Sequence, residues 1–411
     1  MKLYADSRAL CGNFLGLKGR NVGLLLVILC FFCGVLPTQA TSKLEASVET
    51  VPHDTLILGG AFRYTYMNNS WSKVHQDKGG QVVFDALILK ASGRIKGIDF
   101  AVESRYYAEA FGGFMLRNGY VGLPLSSNLY LKLGMPRTPF GLIPYTGNSF
   151  MFNMPYYLGF EDDADFGFLL EYEAKNHWKA QLNFAKNSED VFSQKNNRYA
   201  YDISGDNEEL NQWTGRLVYV FGTKNNNEIG LSGQFGQIYN TLYRTKGHKS
   251  AEAIHVLLNQ QRWTFKFQVL YYDFAPDYGP NTQTPFIGSE PQGVAKDYIE
   301  LGAFAGAYKV ASQGLSSCAS ISYTWPIHHF LLNDLKLYND FSSLHKTVGS
   351  YDDSYMNVLG CMVHTGPIFM LVDYVVAQNH PWIGTHYEDA FYDGTSAQWE
   401  TRFNLNLGVY F

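Results

Sequence analysis

Long hydrophobic runs are missing from this 411-residue chain. A helix that crosses a bilayer needs about 20 apolar residues in succession; the nearest approach is residues 22–35, about 14 long, and that excludes a helical membrane protein. Charge is also scarce, at 17% of residues, and the net of −5 disfavours a nucleic-acid partner. There are five cysteines, and the two beyond the first 40 residues, Cys318 and Cys361, form no CxxC pair and no disulfide framework. No Gly-x-Ser-x-Gly elbow and no phosphate-cradling glycine loop occurs. His328 and His329 are adjacent, so on a strand they point to opposite faces and cannot chelate together. The expectation is therefore no catalytic residue, no cofactor and no metal.

What the chain has instead is aromatics and alternation. Tyr and Phe contribute 29 residues each and Gly 39, while mean hydropathy is slightly negative, which suits many strands better than a helical enzyme. In the last stretch Trp399, Thr401, Phe403, Leu405, Leu407, Val409 and Phe411 alternate with Glu400, Arg402, Asn404, Asn406, Gly408 and Tyr410. Side chains at that spacing fall on opposite faces, one greasy and one wet. A strand of about ten residues is what a tilted crossing of an outer membrane requires. An alternating aromatic strand closed by Phe411 resembles the assembly signal of bacterial outer-membrane barrels, which implies the barrel-assembly machinery as a partner.

The apolar run 22–35 lies behind Lys18 and Arg20 and ahead of Thr38-Gln39-Ala40, the layout of a secretory signal cleaved after Ala40. Residues 1–40 are thus expected to be a signal peptide, 41–53 a short lead-in and 54–411 the barrel. Alternation starts at Leu56 and recurs to the end, with 81–91 reading as a more uniformly apolar strand. Short turns and long loops alternate, as tight periplasmic turns and long outer loops do in outer-membrane barrels. The fold expected is all-β: a transmembrane antiparallel β-barrel of about 16 strands, with 18 as the alternative. Both chain ends should lie in the periplasm, so the number should be even. Residues 298–310 are accordingly assigned to the preceding loop, with a helix as the expected form. Another strand should separate Cys318 from Cys361, placing them about 10 Å apart as free thiols.

Leu129-Tyr-Leu-Lys-Leu-Gly-Met-Pro-Arg-Thr-Pro-Phe-Gly141 resembles the strand and G-x-x-x-x-P-F-G turn of the phosphate-selective (O/P-type) porin family, with Gly134, Pro139, Phe140 and Gly141 at the motif positions. Asn333 to Ser342, Asp353-Ser354, Gly360 and Gly366-Pro367 resemble its closing third. The resemblance implies a homotrimeric diffusion channel in the outer membrane, in contact with lipopolysaccharide, passing small hydrophilic solutes or ions, with one loop, here 137–164, folded inward as a constriction.

The candidate pore-lining residues are Asp99, Glu103, Arg105, Lys132, Arg137, Glu161, Asp162, Asp163, Asp165 and Glu171. Asp99, Glu103 and Arg105 share one face of one strand, and three ionisable groups together need water or partners, not lipid. The family's phosphate channels use ladders of Arg and Lys, whereas this loop has Arg137 and then Glu161-Asp162-Asp163-Ala164-Asp165. Facing a channel, that run would disfavour anions. It also reads as a solvated outer loop, or as a divalent-cation site bridging lipopolysaccharide. Alternative functions are a plugged barrel serving as an adhesin or structural surface protein, and an outer-membrane hydrolase using Asp162-Asp163 with His386-Tyr387-Glu388-Asp389.

Overall fold

The structure, a computed structural model, describes residues 54–189, 196–222, 226–279, 297–329, 332–394 and 398–411. The expected signal segment 1–40 and lead-in 41–53 lie outside them. In chain order the elements are β1 (Thr55–Asn69), α1 (Lys73–Lys78), β2 (Gln81–Ile95), β3 (Ile98–Tyr106), β4 (Phe114–Pro124), β5 (Leu129–Met135), α2 (Met154–Tyr157), β6 (Phe166–Glu173) and β7 (Trp178–Asn187). They continue with β8 (Asp202–Ile203), β9 (Asn207–Phe221), β10 (Asn227–Asn240), β11 (Thr245–Gln260), β12 (Trp263–Ala275), β13 (Tyr298–Ala303) and β14 (Gly306–Ala311). The last are β15 (Gln313–His329), β16 (Leu332–Lys346), β17 (Ser354–Thr365), β18 (Ile368–Gln378) and β19 (Glu400–Tyr410).

All of these strands except β8, β13 and β14 form one closed antiparallel barrel of 16, running in sequence order around the wall. Two-residue turns such as Lys96 and Gly97, both with positive φ, join strands at one end. Long segments join them at the other. The seam pairs β1 with β19 from Ala61↔Tyr410 to Asn69↔Arg402. It continues past β19, where Gly60 and Phe411 exchange backbone hydrogen bonds of 2.8 and 3.0 Å. The Phe411 ring lies over Gly60, where an added Cβ would meet the ring at 2.8 Å, so this end of the seam requires glycine.

The wall is inside-out relative to a water-soluble sandwich. Leu56, Leu58, Phe62, Phe267, Leu359 and Phe403 are exposed, while Asp340, Asp373, Asn404 and Asn406 on the other face are buried. Hydrocarbon, not water, suits the first surface. Trp178, Trp213, Trp263 and Trp399 are exposed on this outer side, as interfacial anchors should be.

Two local expectations need correction. Residues 298–310 do stay out of the wall, but they form the β13–β14 hairpin, not a helix, and β13 also pairs with β8. Tyr308, Val310, Ile299 and Leu301 bury themselves against other inner segments, which supplies the partners a hairpin needs. Strand β2 is not uniformly apolar: it runs to Ile95, and its pairing with β1 slips between Arg63 and Tyr64, leaving Asp85 as an extra residue. The bulge reverses which positions face inward, so Lys90 and Arg94 both reach acids on β3. Cys318 and Cys361 are free, on β15 and β17 with β16 between them, as expected.

Candidate functional site

β5 and β6 are only 7 and 8 residues long, so the chain between them leaves the wall partway up. The segment 136–165 then crosses the barrel interior. Its neck is pinched by the Arg137↔Ala164 bridge and by Thr138 N donating to Asp163 O at 2.8 Å. Gly141 N donates to Ser232 Oγ (3.0 Å), Leu142 N to Gln268 Oε1 (2.8 Å), and Gly141 O accepts from Arg216 Nε (2.7 Å). Gly141 has φ 61°, and a Cβ there would meet Gln268 Oε1 at 2.3 Å, so the glycine of the Pro-Phe-Gly motif is dictated by this docking. Further on, Lys266 Nζ donates to Tyr145 O (3.1 Å) and Gly147 O (2.7 Å). The carboxylate of Asp340 accepts from Asn148 N (2.6 Å), Asn148 Nδ2 (2.8 Å) and Ser149 N (2.8 Å), and that of Asp373 from Phe150 N (3.0 Å).

On its return the segment meets the wall at β3 and β4 in a charge network. Asp162 accepts from Arg117 Nη2 (2.5 Å), Tyr145 (2.6 Å) and Tyr199 (2.7 Å), and lies 2.6 Å from Arg137 Nη2. Burial pushes the Asp162 carboxyl up, but the guanidinium groups of Arg137, Arg117 and Arg105 and the Tyr145 hydroxyl together hold it below the usual carboxylate range. Glu103 binds Arg105 (2.7 Å), Arg117 (3.0 Å) and Lys90 (3.4 Å). Towards the short-turn end, Asp99 pairs with Arg94 at 2.5 Å and accepts from Tyr130 at 2.8 Å, and Lys132 pairs with Glu171 at 2.8 Å.

The candidate residues therefore divide. Asp99 with Arg94 and Lys132 with Glu171 form separate ion pairs, and Glu103, Arg105, Arg137 and Asp162 join one network through Arg117. Glu161, Asp163 and Asp165 stay out of it. Glu161 accepts from Thr146 N at 2.9 Å, and burial raises its carboxyl to about 7. Asp163 and Asp165 sit with Glu189 and Asp202, their ligand atoms within 4.8 Å of one another. All four acids of the run are buried, which corrects the expectation of a carboxylate face on the channel and the reading of a solvated loop. Lys90, Arg94 and Arg137 side chains are 48, 42 and 31% exposed, against 8% for Glu103, 23% for Asp99 and 0% for Asp162, whereas Glu171 at 29% is more exposed than its partner Lys132 at 21%. Reading the sequence missed Lys90, Arg94 and Arg117. Arg117 is the extra residue where the β3–β4 register slips between Glu103 and Ser104, so the bulge aims it inward off the alternating pattern.

Beyond the crossing segment, towards the long loops, the interior is packed with aromatic side chains. Tyr156 and Tyr157 of α2 meet Tyr201, Tyr308 and Phe391, and Tyr308 donates to Tyr157 O at 2.5 Å. Trp382 Nε1 donates to Tyr201 at 2.6 Å.

Solved structures share the barrel fold. The outer membrane channel DcaP of Acinetobacter baumannii superposes with a TM-score of 0.52 at 10% identity, covering 89% of this chain and 100% of its own. The anion-selective porin from Comamonas acidovorans gives 0.54 at 9%, with 87% and 100% covered, and Pseudomonas putida OprB 0.52 at 7%, with 87% and 94%. The fold is a porin fold. No family model and no curated protein matches the sequence, so the likeness extends to architecture alone.

For the hydrolase alternative the geometry is unhelpful. Both oxygens of Asp162 are engaged by guanidinium and phenol donors, which leaves no lone pair poised for base catalysis. His386 lines a separate recess with Trp71, His380 and Glu400.

Proposed function

We propose that the chain is an outer-membrane porin through which small hydrophilic solutes and ions diffuse passively. The carrying observation is the barrel's two unlike sides, apolar outward and ionic inward, with 136–165 laid across the interior, where it would act as a constriction. Short turns would lie in the periplasm and the long loops outside, near lipopolysaccharide. The leader would deliver the chain, and the β19–Phe411 strand would engage the assembly machinery. Selectivity should be weak with a lean towards anions, because Lys90, Arg94 and Arg137 are each more exposed than the acids they pair with, an excess that the Lys132–Glu171 pair only partly offsets. Purified protein in a planar bilayer is expected to give stable openings, with a small reversal potential of anion sign in a salt gradient. A marked cation preference would refute the charge assignment.

The aromatic packing above the constriction favours a second reading, an occluded barrel displayed at the surface. The same bilayer separates the two, since an occluded barrel stays silent.

Association into a homo-oligomer is also proposed, through the outer face of β15–β17. There Asn339 and Asn357 exchange amide hydrogen bonds of 3.0 and 3.1 Å on the side otherwise occupied by Phe341 and Leu359. Polar groups on a hydrocarbon-facing wall are costly unless a neighbouring protein covers them. The double change Asn339→Leu with Asn357→Leu is expected to convert the native oligomer on a non-denaturing gel to monomer. An unchanged oligomer would place the interface elsewhere.

A further inference from the structure

Four acids from three separate stretches converge inside the barrel. Asp163 belongs to the crossing segment, Asp165 stands immediately before β6, Glu189 follows β7 and Asp202 lies on β8. Their ligand oxygens lie within 4.8 Å of one another, and all four residues are buried. Among the described residues, Asp163 Oδ1, Asp165 Oδ1 and Glu189 Oε2 have no hydrogen-bond partner, which in a buried carboxylate costs several kcal/mol. Glu209 is nearby and adds a fifth negative charge, already paired with Lys249 Nζ at 2.7 Å. Arg198 Nη1 reaches Asp202 Oδ2 at 3.2 Å and Ser188 Oγ at 3.0 Å. Among the described residues, five acids meet these two cations.

The geometry points to a calcium-class divalent cation site formed by Asp163, Asp165, Glu189 and Asp202. Hard, anionic, all-oxygen donors suit Ca²⁺, whose ligands sit about 2.3–2.6 Å away, so opposite ligands are separated by up to about 5 Å. Glu189 already has its other oxygen fixed by Ala200 N at 2.9 Å, which orients the free one. A bound cation would fasten the neck of the crossing segment to the stretch between β7 and β9, and with it the inner sheet of β8, β13 and β14. The site is buried, so it differs from an ion bridging the surface to lipopolysaccharide.

The test uses the full barrel, freed of metal with EDTA and of lipopolysaccharide by refolding in detergent, then titrated with calcium chloride. Isothermal titration is expected to show about one Ca²⁺ per barrel with a dissociation constant of about 10⁻⁴ M. The heat-unfolding midpoint should rise by about 5 °C at millimolar calcium. The double change Asp165→Asn with Glu189→Gln should abolish both effects, and in EDTA it should unfold no earlier than the parent because a repulsion has been removed. Asp163→Asn is a second variant should the double one not refold, and it too should weaken binding at least tenfold. No calcium binding and no shift in the parent would mean that the carboxyls share protons instead, and would overturn the proposal. Unaltered binding by both variants would overturn it as well. Conductance is not read, so failure here is distinct from failure of the porin assignment.

Discussion

Replacing Asp340 by alanine is expected to widen the channel and weaken the barrel together. The carboxylate is fully buried and accepts three hydrogen bonds from Asn148 and Ser149, the far end of the crossing segment. Alanine would strand three donors and remove the negative charge that faces Lys266 and Lys336. Breaking a buried, charge-assisted constellation of this kind costs about 3–5 kcal/mol. A porin wall carries 16 paired strands and should survive that loss. The segment has fewer attachments and should loosen first, held at that end by Lys266 on Gly147 O, Phe150 N on Asp373 and Met154 N on Ser342. Single-channel conductance should rise severalfold, with frequent noise from a mobile loop, and the heat-unfolding midpoint should fall. Conductance equal to that of the parent would show that 136–165 does not limit flow.

The second large effect is expected at Asp162. Alanine there would leave Arg117 and Arg137 without their shared acid and Tyr145 and Tyr199 without an acceptor. Arg117 would keep Glu103 as its acid, so the loss of charge-assisted bonds costs about 1.5–3 kcal/mol, and Arg137, already partly exposed, would swing free into the solvent path. The expected readouts are a lower unfolding midpoint and a reversal potential moved further in the anion direction. Absence of both changes would show that the network is ornamental.

The pH dependence of the parent follows from the same pair of neighbours. Asp162 titrates below its unfolded value of about 3.9, so its stabilisation is complete above that value and is lost as pH falls through the depressed one. Glu161 has the opposite sign. Raised to about 7, it holds a proton in the folded state that the unfolded chain gives up near 4.3, so stability declines as pH climbs from there through 7. The two together place the firmest seating of the segment at mildly acidic pH, which unfolding midpoints measured from pH 4 to 8 would show.

The wall was legible in the residues because lipid and water impose a period of two, and because an even strand count excludes 298–310 from the barrel. The Pro-Phe-Gly turn was legible too, and Gly141 shows why: only a residue without Cβ fits against Gln268. The bulges were not. One extra residue at Asp85 or Arg117 exchanges the two faces, and nothing in a single strand's pattern marks where that happens. The acidic run misled for a related reason. Four carboxylates within five residues ordinarily mean solvent, but here Asp162 is answered by Arg117, while Asp163 and Asp165 are buried against Glu189 and Asp202 from the stretch after β7. Those meetings belong to the topology of the interior, which has no period to read.

The docking of the crossing segment also fixes an order of events in folding. Its anchors at Asp340 and Asp373 stand 191 to 223 residues further along the chain, on strands that join the wall near its end. Neighbouring hairpins can zip one after another, each closing a small loop at low entropic cost. The segment cannot seat until β16 and β18 are in place. Full docking of the segment is therefore completed only with the last strands of the wall.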